Sequence, residues 1–128
     1  MSNFLATHDD PLSLALSPSE ALEITAGDPQ ASELTLYRDE CVECGVWGVT
    51  PGTFIGENIG FGEHMYVLKG QATITNADDT TLELHPGISF VALPGWRGRR
   101  QVHETLRKIY VIWRVPPQPA DLEPLPAV

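Results

Sequence analysis

The sequence predicts a single all-β domain of the sandwich, jelly-roll or barrel kind. Three observations carry that prediction. A chain of 128 residues builds one core only. Short apolar segments recur from Glu33 to Arg114 with turn residues between them. None of that stretch keeps a helical period. A hydrophobic fraction of 42% beside 20% charged residues sits near the globular norm, so the apolar content for a folded core is present.

Residues 1–31 hold one helix signal, Ser17-Pro18-Ser19-Glu20. There Ser17 can cap, Pro18 takes the first helical position and Glu20 closes a capping box, before Gly27-Asp28-Pro29 ends the element. The expectation is a short N-terminal helical arm over 1–31 that packs on the body, since so short a helix is marginal alone. The β-barrel is expected over 32–115, from the segments ELTLY, VWGVT, MYVLK, QATIT, TLEL, ISFVAL and RKIYVIWR. Between them stand Pro51-Gly52, Gly60 with Gly62, Gly70, Asn76 to Asp79, Pro86-Gly87 and Pro94-Gly95, which supply the fixed or positive φ of tight turns. Ala72 and Ile74 alternate with Gln71 and Thr73, and Leu82 and Leu84 with Thr81 and Glu83, giving one apolar and one polar face. By contrast, Met65 to Leu68 and Ile109 to Trp113 are apolar on both faces, which predicts a second cover, expected to be a homodimer contact with the N-terminal arm as the competing cover. Residues 116–128 carry five of the eleven prolines and read as an extended Pro-rich tail. Its PPQP and PLP lack the basic anchor of a proline-rich docking motif.

The formal charge of −9 opposes binding to nucleic acid or to an anionic membrane. No apolar run approaches the roughly 20 residues of a membrane span, and MSNFLATHDDPL lacks the basic start of a secretory signal, so the cytoplasm is the expected location. The charge is uneven. Residues 1–64 hold eleven acids and one base, whereas residues 65–128 hold six acids and seven bases, five of them between Arg97 and Lys108. That cluster is the one positive patch open to an anionic ligand. Cys41 and Cys44 have CxxC spacing but no second pair, and on a strand they face opposite sides, so reduced thiols without a zinc or redox role are expected. GENIGFG does not fit phosphate-loop spacing, and no nucleotide site is expected there.

Four pieces in order, GVWGVTPGTF (45–54), EHMYVLKG (63–70), HPGISFVALPGWRG (85–98) and ETLRKIYVIW (104–113), resemble the cupin superfamily. The likeness is to its small branch with ureidoglycine aminohydrolase domains and the ethanolamine-utilisation Q protein. The resemblance implies a single cupin jelly-roll β-barrel, often dimeric, whose interior pocket takes a small polar metabolite, with a divalent metal in many relatives. The family pattern places two histidines as H-x-H, then a glutamate, and a third histidine after P-x-G. Here Glu63 keeps the acid, but the H-x-H positions fall within Gly56-Glu57-Asn58-Ile59 and the third histidine position is Gly98. A transition ion needs about three or four converging ligands, so no metal and no other cofactor is expected.

Strand alternation puts Glu63, Met65 and Val67 on one face. Glu63 then either points into the barrel, where a low dielectric raises a carboxylate toward acid/base use, or pairs structurally with a nearby base. His64 faces the other way, and His8, His85 and His103 read as solvated or locally bonded. Lys108 shares the more amphipathic face with Tyr110 and Ile112, the expected wet interior, whereas Arg107 goes with Ile109, Val111 and Trp113. Arg97, beside the PGW turn, can present its guanidinium to a carboxylate. The resemblance agrees, since related sequences carry the same residue types at Arg97 and Lys108, while Arg99 and Arg100 look particular to this chain. The expected catalytic pair is therefore Glu63 for proton transfer and Lys108 for developing negative charge, with Trp47, Glu57, Met65, Arg97 and Tyr110 as substrate contacts. Two functions remain open. One is a single-domain cupin that binds a small polar, anionic metabolite and turns it over by hydrolase, lyase or isomerase chemistry. The other is a non-catalytic ligand-binding or dimerisation module. They differ in whether a stabilising ligand is consumed.

Overall fold

The computed structural model describes residues 10–116, so His8 and the Pro-rich tail beyond Pro116 lie outside the described residues. Nine strands form one curled antiparallel sheet: β1 (Ser17–Pro18), β2 (Glu23–Gly27), β3 (Ala31–Arg38), β4 (Val42–Val49), β5 (Gly52–Glu57), β6 (Phe61–Asn76), β7 (Thr81–Leu84), β8 (Ser89–Ala92) and β9 (Arg97–Arg114). All-β architecture is thus found, and as expected it curls toward a cupin barrel.

Two long strands organise the sheet. β9 pairs along its whole length with β6, from Arg114 opposite Phe61 to Gly98 opposite Asn76. Its other edge is divided: Arg97 to Val102 take β5, and Leu106 to Trp113 take β4. The free edge of β6 likewise takes β8 beside Glu63 to Tyr66 and β7 beside Ala72 to Thr75. Two expected strands, MYVLK and QATIT, are therefore one. Gly70, read as a turn, is instead a bulge at φ 96°, where β6 slips in register against β9 between Val67 and Ala72. The slip reverses parity. Before it the odd residues Glu63, Met65 and Val67 are buried; after it the even residues Ala72 and Ile74 are.

The expected helical arm is corrected: no helix occurs among the described residues, and so none long and apolar enough to cross a membrane. Ser17 and Pro18 pair with Glu33 and Ser32 of β3, and β2 lines the edge of β5 from Glu23 opposite Ile55 to Gly27 opposite Gly52. A helix between Pro18 and Gly27 spans only about two turns, whose nucleation cost no packed face would repay. Ile24 and Thr25 are β-branched, and the open edge of β5 takes up this segment instead, with Thr25 as a bulge between Ile24 and Ala26. Ahead of β1, the chain is held to β9 by Arg107, whose Nη1 donates to the carbonyls of Pro11 (2.8 Å) and Leu14 (3.1 Å).

The interior divides into two clusters. One packs Val49, Phe54, Val67, Ala72, Ile74, Leu84, Val102 and Leu106, and the other holds Met65, Ala92 and Tyr110. Trp47, Phe90 and Trp96 touch both and form the partition between them.

A side chain at Gly70 would meet the Thr105 carbonyl as well as an unfavourable positive φ. We expect Gly70→Ala to destabilise the fold by about 1 to 3 kcal/mol from the backbone conformation alone. Urea denaturation checks this, and an unchanged midpoint would show that the bulge relaxes without cost.

Candidate functional site

Beside the smaller cluster the barrel interior opens into a cavity of about 260 Å³. Trp47 of β4, Phe54 and Gly56 of β5, Glu63 of β6, and Arg100, Lys108 and Tyr110 of β9 line its inner part. Ladder register explains the convergence, since Trp47 sits opposite Lys108, Phe54 opposite Arg100 and Glu63 opposite Ile112. At the mouth stand Glu20, Glu33, Glu57 and the buried Asn58. Asn58 ties the mouth together: its Nδ2 donates to the Ala92 carbonyl (3.2 Å), its N–H to the Trp96 carbonyl (2.9 Å), and its own carbonyl accepts from Gly95 (2.7 Å).

Three buried charges dominate the wall. The Lys108 ammonium lies 3.2 Å from Glu63 Oε2, 2.9 Å from Met65 Sδ and 4.7 Å above the Trp47 ring. Arg100 Nη2 lies 4.0 Å from the other carboxylate oxygen, Glu63 Oε1, and its guanidinium stands 5.1 Å over Trp96. Two cations thus face one anion. Burial pulls the Lys108 ammonium from its ordinary 10.5 to about 8; Glu63 resists that fall and Arg100 adds to it. Burial also lowers Arg100, against the pull of Glu63. Arg100 Nε is buried and has no hydrogen-bond partner among the described residues. Gly56 packs against it, where a Cβ would come within 2.7 Å, so the glycine lets the guanidinium lie close to β5.

A second carboxylate on the wall is fully committed. Glu43 Oε1 accepts from Arg38 Nε and Arg114 Nη2, both at 2.9 Å, and Oε2 accepts from the Tyr110 hydroxyl at 2.9 Å. Burial pushes the Glu43 carboxyl up, but the hydrogen bonds from Arg38, Tyr110 and Arg114 outweigh it and hold it below the usual range. The Tyr110 phenol is pushed well up by burial and by Glu43, so it stays protonated and donating. This clasp joins β3, β4 and β9 rather than offering a free group to a ligand.

Of the residues expected at the site, Trp47, Glu57, Glu63, Lys108 and Tyr110 line the cavity, and Met65 lies beneath it against Lys108. Arg97 does not join them. Its side chain is 51% exposed and reaches outward to Glu57 (3.2 Å) and Glu23 (3.5 Å). The arginine that enters is Arg100, at 13% exposure, which the sequence reading passed over. The missed signal was parity: Arg100, Val102, Leu106, Lys108 and Tyr110 are all even-numbered on β9 and face inward, while Arg97 and Arg99 are odd. Glu43 was missed because its partners Arg38 and Arg114 lie on other strands.

The donor set does not fit the divalent metal that the cupin resemblance implies. Glu63 is flanked by Lys108 and Arg100, Gly98 has no donor side chain, and Asn58 is spent on Ala92. The His64 ring bonds Ser89 on the outer face, and no three His, Cys, Asp or Glu side chains converge among the described residues.

Residues 36–110 match the family model described as "EutQ-like cupin domain". The fold resembles the EutQ protein of Clostridium difficile, at 20% identity over 69% of this chain and 71% of that one, with a TM-score of 0.60. A DUF861-family protein of unknown function from Pseudomonas syringae pv. tomato is 23% identical over 80% of this chain and 46% of its own, with a TM-score of 0.66. The cupin domain of Schizosaccharomyces pombe Cnp3 is 14% identical over 82% and 72%, at a TM-score of 0.62. At such identities the likenesses speak to fold alone. No curated protein matches the chain.

Lys108 makes stability depend on pH in a defined direction. Below about pH 8 the amine is protonated whether the chain is folded or not, and its burial cost is fully present. Between about 8 and 10.5 the unfolded chain binds the proton more tightly, so unfolding free energy rises with pH. Relative to Lys108→Met, which cannot titrate, the wild type is expected to gain a few kcal/mol at most across that window. Denaturant titrations at several pH values check this. A pH-independent difference would mean that Lys108 titrates as a solvated lysine.

Proposed function

The chain belongs to the EutQ-like cupin domain family, and on that premise we propose that its barrel binds a small anionic metabolite, with a carboxylate as the recognised group. The observation that carries this reading is that Lys108 and Arg100 both face the single carboxylate of Glu63, with Arg100 Nη2 at 4.0 Å and not hydrogen-bonded to it. The local balance around Glu63 points the same way, since Lys108 and Arg100 exceed it there by one positive charge, although Glu20, Glu33 and Glu57 stand at the mouth. Glu63 and Lys108 at 3.2 Å are also within proton-transfer reach, which supports turnover by acid/base chemistry once a ligand is bound.

Calorimetry with a panel of small mono- and dicarboxylates tests the reading. Arg100→Ala is expected to weaken the best binder about tenfold to a hundredfold, while Arg97→Ala should change it less than about threefold. Unchanged affinity in Arg100→Ala would sink the assignment. The same reading expects binding without a resident metal: freshly purified protein should hold no stoichiometric transition ion, and chelator should leave affinity unchanged. Loss of binding on chelation would instead require a metal.

A second reading, self-association, is favoured by one observation. Val91, Tyr66 and Val111 are exposed on adjoining strands, with His64 opposite both Val91 and Val111 in the ladder. Two valines flanking His64, with Tyr66 beside them on β6, make an exposed and largely apolar patch that suits a homodimer contact. Sedimentation should then give twice 14.0 kDa, falling to the monomer in Val91→Glu. A monomer in the wild type at micromolar concentration would remove this role.

A further inference from the structure

We propose that Lys108 is an amine nucleophile, and that the cavity forms a covalent imine between Lys108 Nζ and the carbonyl carbon of a small oxo acid whose carboxylate lies on Arg100. The inference rests on the anion-binding reading of the same cavity and adds to it a bond-forming step. Its basis is a juxtaposition. One amine, one uncommitted carboxylate and one guanidinium meet beside Trp47, Phe54 and Met65, on a wall that Tyr110 and the committed Glu43 complete. An anion could be held by a second arginine in place of Lys108, whereas a buried lysine also offers a nitrogen that can lose its proton. Against an oxo acid, the same burial makes the amine useful.

The step balances without any co-reactant. The Lys108 ammonium passes one proton across 3.2 Å to Glu63 and becomes a free amine. The nitrogen lone pair attacks the carbonyl carbon, and the carbonyl oxygen takes the proton from Glu63 to give a hydroxyl. Glu63 then removes a proton from the nitrogen and returns it to that hydroxyl, which leaves as water. What remains is a C=N bond with one proton on nitrogen and an ionised Glu63 beside it. An ammonium and a carbonyl have become a protonated imine and a water, with charge conserved. Met65 and Trp47 keep bulk water from the nitrogen, which favours the imine over hydrolysis. Burial also holds the ammonium down to about 8, so free amine is available near neutral pH at a cost Glu63 can meet.

The chain is suited to a clean test, because Lys69 and Lys108 are its two lysines and Lys69 is exposed. The full chain is incubated with pyruvate or glyoxylate and sodium borohydride, then read by intact mass and peptide mapping. The expected product is one adduct per chain, heavier by the oxo acid less one oxygen, on the peptide holding Lys108. It should persist in Lys69→Met, vanish in Lys108→Met, form faster at pH 8.5 than at pH 7, and form at least tenfold more slowly in Arg100→Ala. Lactate, which has the carboxylate but a hydroxyl in place of the oxo group, should compete. An adduct spread over Lys69 and the N-terminal amine, with none favouring Lys108, overturns the proposal on wild-type protein alone, whatever the variants' folding. Calorimetric binding of pyruvate and lactate without an adduct also overturns the imine but leaves the anion pocket standing. Absence of both binding and adduct overturns the two together.

Discussion

The ladder between β6 and β9 is the constraint on which the rest of the molecule depends. Each strand is shared by two smaller neighbours on its far edge, so the pair fixes where β4, β5, β7 and β8 lie. A ladder of this length leaves no choice of face, because a slip by one residue would carry every inward side chain to the outside. Glu63 and Lys108 meet because their strands are neighbours in register, with Lys108 opposite Val67 and Glu63 opposite Ile112. Arg100 reaches the same carboxylate from the other half of β9, where Phe54 rather than Trp47 is its ladder partner.

That geometry gathers charge where charge is expensive. Moving an ion from water into a protein interior costs several kcal/mol after relaxation, and mutual attraction offsets this only when hydrogen bonding is complete. The Glu43 clasp meets that condition, with both carboxylate oxygens satisfied by Arg38, Arg114 and Tyr110. The Glu63 group does not. Its arginine stands at 4.0 Å, beyond hydrogen-bond distance, and keeps one donor idle. Two buried carboxylates on one cavity wall thus serve different ends: one holds three strands together, and the other is left incompletely matched, as groups that await a ligand are.

How much of this the sequence discloses depends on the range of the interaction. Alternation within a strand is local, and it put Lys108 and Tyr110 inward and Arg107 outward without any structure. The same alternation extends to Arg100, but Gly98 and the PGW turn made that end of β9 look like a loop. β5 was hidden in a similar way, because Gly52 read as a turn residue and Gly56 fell in the glycine-rich GENIGFG, though Gly56 is where β5 packs closely on Arg100. Ser17-Pro18-Ser19-Glu20 gave a sound local helix signal that was overridden by edges of β3 and β5 lying outside the window. Glu43 and its arginines join residues five and seventy-one positions apart, and no periodicity carries such a pairing.

The bulge at Gly70 makes β6 a strand with two phases, and this bears on how the chain can change in length. Between Val67 and Ala72 the residue count, rather than residue identity, sets which side chains face inward. Removing one residue there would leave Glu63, Met65 and Val67 in place but turn Ala72 and Ile74 to solvent, exchanging them for Gln71 and Thr73. Changes in number are accommodated more readily in the Asn76 to Thr80 connection, which merely returns the chain to β7. Length in this fold is therefore held fixed from within a strand, at a point far from either of its ends.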